Sequence, residues 1–230
     1  MTRKNQWPVR AALIVISVCC LLAAPVAQAQ SKKSAKQTAS LEKTGEASKA
    51  AVEDVLTGCG NLLAGYNSII DGTAKDSQKA YKKLVGDLKS TEKKLDGARK
   101  QVASLSKEAE KFFKAWEQDL QSISSESLRD KSSARMEDAK KRYAELGEIL
   151  TSASNEFTPV MQNLNDQILY LGRDLSPEAI ADLSDEAAEL NQQAEAATTK
   201  VKEMLETAGK TQAAADAELE TPEATTDDSE

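Results

Sequence analysis

The chain has 230 residues, with 30 Lys and Arg against 37 Asp and Glu, a net charge of −7 and no histidine. Without imidazole there is no ordinary general base near neutral pH, no Ser-His or Cys-His nucleophile pair, no HExxH zinc site and no Glu-x-x-His di-iron ligand set. The acidic balance disfavours general nucleic-acid binding, because phosphates demand a basic face.

Carboxylate-only chemistry is what composition leaves open. The acids are nevertheless spread along helical patterns with no Asp-x-Asp-x-Asp-Gly loop, and Gly58, Gly60 and Gly65 are not followed by Gly-Lys-Ser/Thr. The expectation is therefore a non-enzymatic protein with no catalytic, cofactor-binding or metal-binding residues.

Residues 1–29 read as a signal peptide. Arg3, Lys4 and Arg10 form the basic start, 11–24 the apolar core, and Ala27-Gln28-Ala29 a small-x-small cleavage site. A retained membrane anchor is the lesser reading, since the apolar run is short of the ~20 residues a spanning helix needs and Pro25 interrupts its end. Cys19 and Cys20 lack the small residue that normally precedes a lipidated cysteine. The expected product begins at Gln30, soluble in a periplasmic or other extracytoplasmic compartment. Loss of three bases and no acid takes its charge from −7 to −10. It retains only Cys59, which excludes an internal disulfide. Cys59 shares a stripe with Val52, Val55, Leu62, Tyr66 and Ile69 and reads as a buried small residue, the alternative being an intermolecular disulfide.

Residues 30–39 read as a disordered Lys/Ser/Gln linker. A first helix is expected over 41–70, stopped at Asp71-Gly72. A second runs from Thr73, with Asp76 completing a capping-box-like pair, to about Ile123. It carries Tyr81, Leu84, Leu88, Leu95, Ala98, Val102, Leu105, Ala109, Phe112, Trp116 and Ile123 on one stripe, with Thr91 and Asp119 as polar interruptions. Ser124 and Ser125 turn the chain into a third helix carrying Met136, Ala139, Tyr143, Leu146, Leu150, Ala153, Phe157, Val160, Leu164, Ile168 and Leu171, kinked at Pro159 and ended by Gly172. Ser176-Pro177-Glu178 starts a fourth helix with an apolar face from Ile180 to Leu205. After Gly209 come seven acids, so 208–230 reads as a disordered acidic tail. Acid-then-base pairs at i and i+4, such as Asp96 with Lys100, Glu110 with Lys114, Glu137 with Lys141 and Asp138 with Arg142, read as helix support. The run Lys140-Lys141-Arg142 follows acids directly, so membrane contact there is the lesser reading.

The segments FFKAWEQDL from Phe112, SLRDKSSARMEDAKKRYAEL from Ser127 and PVMQNLNDQILYLGRDLSPEAIADL from Pro159 resemble a family of exported bacterial helical proteins catalogued as domain of unknown function 2959. The resemblance spans about 75–205 and is strongest over 112–183. It implies an exported helical protein and carries over no catalytic or binding residue. The glycines and Cys59 of the first helix and the acidic tail depart from it.

Folding the second and third helices back about Ser124/Ser125 sets Leu105 by Ala144, Leu88 by Met161 and Tyr81 by Ile168, and the first helix places Val52 near Lys93. The expected fold is all-α: an elongated antiparallel coiled-coil hairpin whose two flanking helices form a four-helix bundle at one end, all within 40–207. The other end, 105–144, would project as a bare two-helix arm roughly 30 Å long. Phe112, Phe113, Trp116 and Met136 on that arm are the candidate partner-binding residues, since two helices cannot fully enclose them. The expected function is a non-enzymatic exported coiled-coil interaction or scaffold protein of the bacterial cell envelope, with a protein partner or a second copy docking on the arm. A helical protein acting on membranes or envelope polymers through amphipathic faces is the alternative, and the aromatics serving only to zip the two helices together is the plainer reading.

Overall fold

The computed structural model describes residues 32–220, and these are all-α: α1 Lys32–Ile70, α2 Ser77–Leu120, α3 Glu126–Glu156, α4 Thr158–Leu171, α5 Pro177–Ala181 and α6 Ser184–Glu220. Residues 1–31, which include the expected signal peptide, and 221–230, the last ten residues of the expected acidic tail, lie outside the described residues.

The seams explain the helices. Buried positions on α2 fall at Leu84, Leu88, Thr91, Leu95, Ala98, Val102, Leu105 and Phe112, the alternating three- and four-residue step that keeps one stripe toward a partner helix. Thr91, expected as an interruption, is buried in the seam and spends its hydroxyl on the Asp87 carbonyl at 2.9 Å. The same spacing runs through α1 from Leu41 to Ile69, through α3 and α4 from Met136 to Leu171, and through α6 from Ala187 to Leu219. Each buried Leu, Val or Ile contributes roughly 1.5–3 kcal/mol, and these four stripes close on one continuous core.

The rods run alternately up and down. α1 packs on α2, α2 on α3, α3 on α6 and α6 back on α1. Cross-links mark the register. The Ser48 hydroxyl reaches the Gln101 carbonyl at 3.2 Å, one turn from the pairing of Val52 with Lys93 that the turn geometry implied. Trp116 Nε1 donates to Ser132 Oγ at 3.1 Å, and Asn67 and Asn191 exchange side-chain amide bonds at 2.8 and 3.0 Å.

Several expectations need correction. Residues 32–39 are helical, not linker, because Leu41, Gly45 and Ser48 continue the α1 seam and Ser40 Oγ donates to Glu108 Oε1 at 3.2 Å. Residues 208–220 are helical too. Ala208, Gln212, Ala215 and Leu219 extend the α6 stripe and are buried, and acids on the outer face do not cancel an apolar inner one. The 105–144 arm is consequently not bare over most of its length. The start of α1 and the end of α6 cover it to about the level of Phe112 and Met136. Cap positions shift as well: Asp76, not Thr73, caps α2 by accepting from Lys79 N at 2.9 Å, while Gly72 turns the chain at φ 66° as expected. The break at Pro159 divides the third rod into α3 and α4 at Phe157, yet Phe157 and Val160 stay buried and the stripe passes through. Ser176 caps only the short α5, accepting from Ala179 N at 3.2 Å, and the fourth rod proper begins at Ser184. The ion pairs also differ, since side chains three apart are as close as those four apart. Asp96 meets Arg99 at 3.9 Å, Glu137 meets Lys140 at 3.9 Å, and Arg142 crosses to Glu218 at 3.7 Å.

Candidate functional site

Of the four candidate residues, Phe112, Phe113 and Met136 are buried, and Trp116 is half-buried. The structure brings Phe112, Phe113 and Trp116 of α2 together with Tyr143 of α3. Phe112 meets Phe113 edge-on at 5.2 Å between ring centroids and Trp116 edge-on at 5.9 Å, while Phe113 stacks on Trp116 at 6.4 Å and meets Tyr143 at 6.1 Å. Such pairs add about 0.5–1.5 kcal/mol beyond the area they bury. The cluster is first a zipper, and the physical reason is the extra length of α1 and α6.

Past this cluster the described parts of the flanking helices stop. α6 ends at Glu220, just after the Glu218 carbonyl accepts from Arg135 Nη2 at 2.7 Å. Beyond that level the hairpin consists of the end of α2, the 121–125 turn and the start of α3, with Leu120 as its buried residue. Leu128 is 42% exposed, and Ile123 and Trp116 are half-buried. This tip is the part of the described hairpin that answers to the expected arm, much shorter than expected.

On the outer side of α2 and α3 a groove of about 910 Å³ runs from the level of Ser106 and Ser152 to that of Glu117 and Met136. Its floor is Ala109, Ala144 and Gly147, its apolar walls Phe113, Met136 and Tyr143, and its rims carry Lys114, Lys140, Glu110, Glu117 and Glu148. Two of the four candidate residues, Phe113 and Met136, thus face a concavity rather than a projecting surface. Sequence reasoning missed the groove. Its signal was the row of small residues at 106, 109, 144 and 147.

Several polar groups inside the bundle are partnered across helices in ways that hold the rods in register. Tyr66 donates its hydroxyl to Gln167 Oε1, and Gln167 Nε2 donates to Asn163 Oδ1 at 2.9 Å and to the Glu186 carbonyl at 3.3 Å. Burial, with Glu186 adding to it, pushes the Tyr66 phenol up to about 12. Tyr143 donates to Asp216 Oδ1 at 2.5 Å, and burial and that bond raise its phenol too. Cys59 is buried with Sγ 4.0 Å from Met161 Sδ, and burial, partly offset by Lys94, pushes its thiol up to about 12. A thiol so raised is inert as a nucleophile at neutral pH, in keeping with its reading as a core residue.

Among the described residues no group of three or more His, Cys, Asp or Glu side chains is placed to hold a metal, and no helix is long and apolar enough to cross a membrane. A family model described as "Protein of unknown function (DUF2959)" matches residues 29–214. No curated protein and no solved structure matches the chain.

Proposed function

Because the chain belongs to the DUF2959 family, whose description names no activity, its role has to be read from its own surface, and we propose that it is a non-enzymatic interaction or scaffold protein of the bacterial cell envelope. In this reading it is exported, cut after Ala29 and soluble, and it engages a protein partner or a second copy through the α2–α3 tip. The observation that carries the reading is Trp116. It stands half-buried where the described parts of the flanking helices stop, next to the exposed Leu128 and half-buried Ile123 of a tip whose other side chains are mostly polar. Aromatic and aliphatic groups left partly wet at the end of a rigid rod are the usual anchors of protein contacts. The absence of histidine supports the non-enzymatic reading by removing the commonest acid–base and nucleophile-activating group.

The test is cross-linking in envelope preparations with the natural protein and with Trp116→Ser/Leu128→Ser. Leu128 is exposed and Trp116 half-buried, so the double variant should stay folded, with helicity unchanged well below its melting temperature. The natural protein should begin at Gln30 by mass spectrometry and give a defined cross-linked species, its own dimer or a single partner, that the double variant loses. An intact Met1 in the cytoplasm would overturn the compartment. The same cross-linked species from both proteins would overturn the tip.

A further inference from the structure

We propose that the α2–α3 groove is a binding site for a single-chain amphiphile with an anionic headgroup, of the fatty-acid class. Its volume of about 910 Å³ lies within the range of pockets that enclose small ligands, which in bundles form between helices. Phe113, Met136 and Tyr143 make its apolar walls. Its floor includes the buried Gly147, where a Cβ would already stand in ordinary contact, 3.6 Å, with Ser106 Oγ, flanked by Ala109 and Ala144. A helix is about 10 Å across and would meet the charged rims before that floor. One acyl chain is slim enough to lie on it.

The charges give the ligand a direction. Lys114 on α2 and Lys140 on α3 both line the groove, and they stand at one level, bracketed by the Trp116–Ser132 bond on the tip side and the Phe113–Tyr143 ring contact on the other. Lys140 leans on Glu137 at 3.9 Å in an exposed pair, a contact worth at most about 1 kcal/mol and readily exchanged for a better anion. Glu117 lies tipward of this level and Glu110 and Glu148 beyond it, so the two lysines form the one cationic station along the rim. A carboxylate held there sends its chain away from the tip over Ala144 and Gly147 toward Ser152, on the order of 18 Å along α3. That length suits a laurate chain. The site is separate from the tip, and its occupancy does not depend on the scaffold reading.

The experiment titrates the natural mature protein with laurate below its micelle threshold, by calorimetry and native mass spectrometry, beside the uncharged 1-dodecanol. Laurate should bind once per chain, at least tenfold more tightly than dodecanol. Ala144→Phe, at an exposed helical position, fills the floor and should weaken laurate at least tenfold at unchanged helicity. Lys114→Glu/Lys140→Glu should do the same, and Trp116→Ser/Leu128→Ser should bind as the natural protein does. No saturable laurate binding, or binding undiminished by Ala144→Phe, overturns the site. Equal affinity for dodecanol, or none lost in the lysine variant, overturns the anionic headgroup. Displacement of laurate by an amphipathic helical peptide that binds more tightly would show that the groove takes a helix instead.

Discussion

Replacing Phe113 by Ala separates a zipper residue from a contact residue, and its neighbour Trp116 supplies the internal comparison. Phe113 is 5% exposed and touches the rings of Phe112, Trp116 and Tyr143. Truncating a buried phenylalanine costs about 3–5 kcal/mol through lost transfer energy and the cavity left behind. The described bundle falls in the size range where 1 kcal/mol moves the melting temperature by roughly 2–4 °C, so Phe113→Ala should melt about 6–20 °C below the natural protein. Trp116 is half-buried, and its hydrogen bond to Ser132 is only part-buried, so water can replace much of it. Its truncation should therefore cost about 1–2 kcal/mol. Thermal melts followed by circular dichroism, with sedimentation velocity on the same samples, read both effects. A Trp116→Ala protein that melts lower than Phe113→Ala would refute the reasoning. It would mean that the flanking helices do not close over the aromatic cluster and that Trp116 is the residue holding the hairpin shut.

Two further outcomes rest on the buried polar groups. Tyr66→Phe should lower stability by about 1–3 kcal/mol because it strips the buried Gln167 carbonyl oxygen of its donor. Adding Gln167→Leu should then cost less than the two single changes together, since the pair vanishes as a unit, and strict additivity in urea melts would refute the coupling. Stability should also fall as pH rises from 9 to 12. The folded thiol of Cys59 is raised from 9.0 and the folded phenol of Tyr66 from 10.0, each to about 12. The unfolded chain therefore releases these protons first, and their contribution is complete below pH 9 and is lost through that window. Each group can cost up to about 1.4 kcal/mol per pH unit while it titrates in the unfolded chain alone. A urea midpoint that stays flat from pH 8 to pH 11 would contradict this, and Cys59→Val should flatten the lower part of the slope.

The helical character of the chain was determined by local pattern, and the spacing on the second and third rods placed most of the buried residues of α2, α3 and α4, missing among others Thr91, Leu120, Met161 and Gln167. The turns at Gly72 and Ser125 were legible for the same reason, since a positive φ and an N-cap hydroxyl are properties of single residues. The expectation of export likewise rests on the sequence alone, because signal recognition reads the chain before it folds. Where the rods end was a tertiary matter. Residues 32–39 and 208–220 are polar enough to pass for linker and tail, and isolated from the bundle their weak stripes would not hold a helix. Leu41 gains its burial from the rods it faces, and Ala215 and Leu219 gain theirs in the same way. That lengthening reverses the reading of Phe112, Phe113 and Met136 from exposed arm to enclosed cluster and leaves Trp116 at the edge. The groove had the same origin: the small residues Ser106, Ala109, Ala144 and Gly147 mark it faintly in the sequence, but only the lateral packing of α2 on α3 turns them into a concavity and sets Lys114 level with Lys140.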